Sequence, residues 1–435
     1  MTEHLLHYLW QHSLYNFKEI KTLDGQALKI VHPGCPHQDA GPDFKEAIIR
    51  IDDFVWAGDI ELHVKSSDWH KHGHDQDLKY QSVVLHVVHE HDIDVFYENG
   101  ETIPVLELKN YLSQNLLDEY QRLTLSHNEL PCKNQLSEIT PLQFTSFLSS
   151  LALDRLLRKQ RLILKMLPSC QENWEEVFFR FLAIAFGFKT NTTAFEELAK
   201  SLSFKYIQKH NHVKIQIAAL LFGQAGMLQG DCEDDYYQIL SQEYQFLRYK
   251  YRLTPIYEKS WNYLRLRPQN FPSLRIAQFA NLLYKKGDIF KRCQENTNAD
   301  YLASLFGCKA DPYWETHYRF GSEIAIQTVA LGETAIQLLI INAVIPVLFA
   351  YGTFHGNEQL QIEIINLLEQ MAFEENRITK LYKESGFPHR SALFSQAILE
   401  LRSMYCVKKR CIHCLIGKGI LKASIEKLSS KPVDK

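Results

Sequence analysis

A chain of 435 residues with 46% hydrophobic and 23% charged content has ample material for a buried core and length for roughly two to three domains, which excludes a disordered or fibrous polymer. Its net charge of -3 excludes nucleic-acid capture by whole-protein attraction, so any such binding needs a local basic surface. The start, Met1-Thr2-Glu3-His4, lacks the basic and apolar parts of an export signal, and nine cysteines in such a chain point to reduced thiols or metal ligands rather than a disulfide framework; the expected location is cytoplasmic.

Apolar residues at helical spacing predict a first helix over Glu3 to Phe17. Strands follow at Ala27 to Val31, Phe44 to Ile51, Val55 to Lys65, Ser82 to His89 and Ile103 to Leu108. In the third of these, side chains alternate across the pleat, so Ile60, Leu62 and Val64 face one way and Asp59, Glu61, His63 and Lys65 the other. Such a polar row is costly to bury unless it has a task, and carboxylates on adjacent strands commonly hold a metal ion. The register decides whether Asp43 can share an ion with Glu61. A three-residue turn Asp52-Asp53-Phe54 puts Asp43 opposite His63 and diagonal to Glu61, whereas a two-residue turn puts Asp43 on the other face. The bland alternative is an exposed edge strand kept soluble by its charges.

After that strand, His70, His72, His74 and Asp75 read either as zinc ligands converging in a loop or as exposed polar groups lining a groove. His86 sits within the apolar run Val83 to Val88 and is a further site candidate, its plain alternative being a satisfied core histidine, as for His89. From about Thr140 the periodicity becomes helical, with an amphipathic stretch at Phe144 to Met166 and a capping-box start at Thr193 to Glu196. The change of period near Leu130-Pro131-Cys132 sets the expected division: residues 1–130 an α/β module, residues 131–435 an α-helical domain. The apolar run Ala335 to Tyr351, broken by Gln337, Asn342 and Pro346, reads as a buried helix, so no membrane association is expected.

Basic residues crowd at Arg155, Arg158, Lys159, Arg161 and Lys165, while Arg265, Arg267 and Arg275 flank Asn270 and Phe271. Either group can hold phosphates; solvated helix faces and an arginine–carboxylate network are the structural alternatives. Cys406, Cys411 and Cys414 stand at C-x4-C-x2-C spacing, a loop clasp suited to zinc or an iron–sulfur cluster. Three thiols are one short of a closed site, and Cys132 is the expected fourth ligand, with His413 or Cys35 behind it. Ordinary buried thiols are the competing reading.

The strings His32-Pro33-Gly34, Asp39-Ala40-Gly41-Pro42-Asp43-Phe44, Gly58 to Trp69, Leu221 to Gly226, Arg265 to Pro272 and Tyr405-Cys406 with Cys411 and Cys414 resemble, over nearly the full length, an uncharacterised bacterial domain-of-unknown-function family, number 2851. The N-terminal part also resembles a PD-(D/E)XK nuclease core, whose usual order is helix, three antiparallel strands, helix and strand. The fold expected is therefore α+β: an N-terminal mixed-sheet PD-(D/E)XK-like module followed by a mostly α-helical domain. That resemblance implies Pro42-Asp43 and Glu61-Leu62-His63 as the two half-motifs, with Asp43 and Glu61 ligating Mg2+ or Mn2+. His63 stands where lysine is usual, so either His63 or Lys65 is the candidate catalytic partner, and Asp59 or His86 supports the ion. Glu107-Leu108-Lys109 is a shorter match of lower rank, and Gln76 with Tyr80 resembles the QxxxY element of RecB-type nucleases. Cys132, Cys406, Cys411 and Cys414 resemble the iron–sulfur staple of RecB-like nucleases of the AddB type, although there the distant cysteine precedes the nuclease motif. The function expected is divalent-metal-dependent hydrolysis of nucleic-acid phosphodiesters. The alternatives are a non-catalytic nucleic-acid or protein-binding scaffold on a decayed nuclease core, and a zinc hydrolase using His70 to Asp75.

Overall fold

Alternating apolar residues, bounded by Gly, Pro and Asp, build the N-terminal sheet, and 3.6-residue periodicity builds nearly everything after it. The computed structural model describes residues 1–15, 19–37 and 39–429. The fold is α+β, and it divides into one unit of residues 1–147 with 401–435 and a second of residues 148–400. The expected division at 130/131 compares with this one at two places: the first unit extends into the long helix Pro141–Met166, and the C-terminal segment belongs with it.

In the first unit, helix α1 (Glu3–Gln11) precedes strands β1 (Leu28–His32), β2 (Cys35–Pro36), β3 (Phe44–Ile51), β4 (Phe54–Lys65), β5 (Val83–Glu90) and β6 (Val105–Glu107). Helix α1 begins at the Thr2 cap, whose hydroxyl accepts from Leu5 N–H, and it ends before Ser13, a non-glycine residue at φ 53°. The helix expected to reach Phe17 is thus shorter, and residues 16–18 lie outside the described residues. The sheet order is β1-β3-β4-β5-β6, with β2 also on β3; β1, β3 and β4 run antiparallel, and β4, β5 and β6 run parallel. A parallel β4–β5 pair needs a crossover, and residues 66–82 supply it as the short helix α2 (Asp68–Lys71) and two tight turns. Leu6 and Trp10 of α1 pack with Phe44, Ile49, Ile60, Leu62, Leu85 and Val87 on one sheet face. Trp69 packs with Val83, Val95 and Ile103 on the other. Strand β4 is therefore central, and its Ile60–His63 part is buried on both faces, not an exposed edge.

Gly58 in β4 is required by close approach. A Cβ there would lie 2.6 Å from the Ser82 carbonyl oxygen and 2.4 Å from Val84 Cγ1, and the crossover could not close over the strand.

In the second unit, helices enclose an aromatic and aliphatic core that includes Phe179, Phe186, Phe195, Phe222, Phe279 and Trp314. The capping box expected at Thr193 is replaced by Asn191, which precedes helix Thr192–Ser201 and spends its amide on Asn262. The stretch Glu333–Phe354 is long and apolar enough to cross a membrane by length and composition, but Ile340, Ile341, Val344, Val347 and Leu348 are buried in the core, consistent with a soluble protein. Arg155 and Arg158 converge on Glu400, and Lys159 donates to Asn342, so three of the five basic residues expected on a surface are spent inside the unit; Arg161 and Lys165 remain exposed.

Candidate metal centre

The side chains nearest to a reactive site lie on the polar face of β4, under the crossover. Ile51 pairs with Phe54, so the β3–β4 turn has two residues, Asp52-Asp53, the case expected to turn Asp43 away from Glu61. A bulge reverses that outcome. Ala47 pairs with Gly58 but Phe44 pairs with Ile60, a register shift of one residue centred on Glu46, whose φ is 61°. Asp43 is thereby re-aimed beside Glu61. Its backbone N–H donates to Glu61 Oε2 at 3.0 Å, and its own Oδ2 accepts from Leu62 N–H at 3.0 Å.

The crossover then brings two imidazoles, His72 and His74, to Glu61 and His63 of β4. Gly73, at φ 74°, takes a left-handed turn between His72 and His74, so both rings come to the same centre instead of opposite sides. The ligand atoms of His63, His72 and His74 lie within 4.8 Å of one another. His63 Nε2 is 3.0 Å from His72 Nδ1 and 3.6 Å from Glu61 Oε1, and His74 Nε2 is 3.1 Å from the same oxygen. His74 Nε2 is nonetheless buried without a hydrogen bond aligned to it, an orphaned nitrogen facing a carboxylate. Metal–nitrogen bonds of about 2.0–2.1 Å at tetrahedral angles would put donors roughly 3.4 Å apart, and these separations bracket that figure. Three imidazoles and a carboxylate suit zinc or iron better than magnesium.

Around them, His63 Nδ1 meets His86 Nε2 at 2.9 Å, so His86 orients His63 from behind. Tyr80 stacks on His74 with centroids 3.8 Å apart, and Trp69 sits edge-on to His63 and His74. Glu61 and His63 are 4% and 1% exposed, so both are shielded from water. Burial takes the His63 imidazole down to about 2, with His86 and His74 adding to the effect, and takes His86 down to about 3. Burial likewise raises the Glu61 carboxyl, the nearby His74 imidazole opposing it and the Asp43 charge adding to it. Neutral imidazoles are the ligating form.

Beside this group, His7 Nε2 of α1 lies 3.1 Å from Asp43 Oδ2, and Glu3, His7 and Asp43 form a second set of donors within 4.8 Å. Burial lowers the His7 pKa, but the hydrogen bond and charge of Asp43 outweigh it and leave it raised. Nothing local marks this pair, because the residues of α1 and the start of β3 meet only in the fold.

Of the residues expected at the site, Asp43, Glu61, His63 and His86 come together, joined by His72 and His74 from the loop. Lys65 is exposed at the end of β4, its N–H bonded to Asp68, outside the imidazole group. Asp59 is spent on the Glu46 N–H and the Ser82 hydroxyl, and so fixes the bulge and the crossover instead of facing the histidines. His70 pairs with Asp75 at 3.7 Å toward solvent. Tyr80 belongs to the site and Gln76 does not; they sit on successive tight turns, not one helix. Glu107 accepts from His91 N–H.

The four candidate thiols also meet. Cys132, Cys406, Cys411 and Cys414 line a single cavity of about 30 Å³, with Leu123, Pro131, Tyr405 and Gly417 around them. Burial, aided by the neighbouring thiols, lifts the Cys132 and Cys414 thiols to about 12 and Cys411 to about 11. Gly417 makes the clasp compact, since a Cβ there would fall 2.1 Å from the Cys411 carbonyl oxygen. Arg402 reaches the Glu129 carbonyl and Lys409 the Ser126 carbonyl, tying the C-terminal segment to the chain around Cys132. His413 and Cys35 do not line this cavity.

No curated protein and no solved structure matches the chain. A family description does match, over residues 3–377, a range that contains the Asp43–Glu61–histidine centre and ends before Cys406. The chain belongs to the family described as Protein of unknown function (DUF2851).

Proposed function

We propose that the first unit is a divalent-metal-dependent phosphodiester hydrolase acting on nucleic acid, with the ion held by His63, His72, His74 and Glu61 and with Asp43 beside it. The observation that carries the reading is the convergence of these groups around the buried Glu61 and His63, made possible by the bulge at Glu46 and the left-handed Gly73. When bound, such an ion lowers the pKa of a coordinated water and offsets charge that builds on a phosphate. The residues do the rest. His86 holds the His63 ring in place, the Leu62 N–H fixes one Asp43 oxygen, and Asp43 keeps its other oxygen for a proton of the attacking water. The order of helix, three antiparallel strands, crossover and parallel strand supports the PD-(D/E)XK resemblance, with histidines replacing the usual lysine and widening the choice of ion from magnesium toward zinc, manganese or iron. The four thiols are proposed to hold zinc or an iron–sulfur cluster as a structural clasp.

The test is cleavage of single- and double-stranded DNA and RNA with Zn2+, Mn2+ or Mg2+ supplied in turn. The wild type is expected to cut at least one of them, and folded Asp43→Ala and Glu61→Ala proteins to lose about a thousandfold in rate. Undiminished cleavage in either variant contradicts the assignment. No cleavage by wild type, with nucleic-acid binding that survives chelation, contradicts it in favour of a non-catalytic scaffold.

A further inference from the structure

The second unit contains a cleft of about 510 Å³, within the range that holds small organic ligands. Its polar lining is one-sided. Thr190, Asn191, Gln269, Asn270, Gln278 and Thr334 contribute hydroxyls and amides, and among the described residues Arg275 contributes the single charge and no carboxylate lines the cleft. Arg275 is 8% exposed, yet it forms no ion pair among the described residues, so the expected arginine–carboxylate network is not what holds it. Its Nη1 donates to Gln278 Oε1 at 2.9 Å and its Nη2 to Asn270 Oδ1 at 2.6 Å, both neutral acceptors, while its Nε–H is buried without any acceptor. A buried guanidinium lacking a counter-charge is costly unless an anion completes it.

Two further features belong to the same wall. The Phe188 ring lies 4.3 Å from the Arg275 guanidinium carbon, fixing the plane of the fork. Phe188 and Lys189 hold left-handed backbone, φ 41° and 74°, strain that a packed wall maintains and that ligand clamps commonly carry. Phe188, Leu266 and Leu338, each half-buried, give the cleft an apolar flank beside the charge.

We infer that this cleft binds a small phosphate ester of nucleotide size, its phosphate on the Arg275 guanidinium and its less polar body against Phe188 and Leu266. A planar fork held in place by two amides, with N–H donors still unspent on all three nitrogens, is pre-organised for an oxyanion, and the cleft is too large for a bare phosphate alone. The inference does not rest on hydrolysis in the first unit, since every lining residue belongs to the second.

The experiment is calorimetric titration of the full-length protein with AMP, GMP, CMP and UMP, and with inorganic phosphate as the apolar-free control. At least one monophosphate is expected to bind more tightly than phosphate, and Arg275→Gln to weaken it at least tenfold. Because Arg275 is buried and its loss can unsettle the fold, Thr334→Trp at the exposed rim provides the second arm, expected to block the cleft with the thermal midpoint unchanged. Absence of binding by all four monophosphates, or binding equal in wild type and Thr334→Trp, overturns the inference. Zinc-dependent cleavage is expected to be unchanged in Thr334→Trp, so a failure here is distinguishable from a failure of the hydrolase reading.

Discussion

Replacing Glu400 with alanine is expected to destabilise the second unit by about 3–5 kcal/mol, more than any surface substitution in the chain. Glu400 is 4% exposed and accepts from Arg158 Nε at 3.1 Å, Arg158 Nη2 at 2.6 Å and Arg155 Nη1 at 3.3 Å. Its removal leaves two cations facing one another beside Lys159, whose ammonium is itself taken down to about 7 by burial and by Arg155. The nearest remaining carboxylate, Glu374, is occupied through Gln396, which bonds Arg155 on its other side. The penalty is therefore that of unpaired charge, largely buried at Arg155 and partly screened by water at Arg158, not merely of lost contacts. Urea denaturation of the wild type, Glu400→Ala and a triple replacement by Arg155→Met, Arg158→Met and Glu400→Leu separates the two. The alanine variant should unfold at markedly lower urea and the triple variant should recover most of the loss. An unchanged midpoint for Glu400→Ala would show that the network contributes nothing net.

The second large effect is expected at the thiols. Protein purified without oxygen should carry zinc, or iron with sulfide, and Cys132→Ser should lose it by more than the roughly 10- to 100-fold that removal of an outer-shell partner costs. Structural thiolate sites supply folding free energy outright, so the variant should also melt several degrees lower. The physical reason is the setting: four thiols share one cavity, Cys132, Cys411 and Cys414 all resisting ionisation there, and a cation converts that penalty into attraction. Elemental analysis that finds neither metal in wild-type protein contradicts the clasp and leaves four ordinary buried cysteines.

Much of the sheet was legible because strand residues announce themselves by alternation: β3 was read at both ends, and β4 and β5 to within a residue. Three parts were not. The bulge at Glu46 carries no glycine to mark it, so the sequence alone could not say which face Asp43 would take, and a two-residue turn argued for the wrong one. His72 and His74 were visible as candidates, but their convergence on Glu61 depends on a crossover folding back over β4, a long-range event without a local signal. The cysteines behaved differently. Their dense spacing marked the site, and Cys132 fell into it because the C-terminal segment returns to the first unit. Basic residues misled for a general reason: an arginine beside a helix face looks the same in sequence whether its partner is water or a buried glutamate 245 positions away.

The measurement that bears most directly on the central claim is titration of chelator-treated protein with Co2+, followed in the visible and near-ultraviolet, comparing wild type with a His72→Ala, His74→Ala double variant. Thiolate ligation adds strong near-ultraviolet absorption, so the imidazole centre can be followed separately. The account predicts one cobalt with nitrogen and oxygen ligands in the wild type, and its loss in the double variant while the thiolate signal persists. Wild-type protein that takes cobalt only at its thiols, or a double variant that keeps the nitrogen-and-oxygen site, would contradict it.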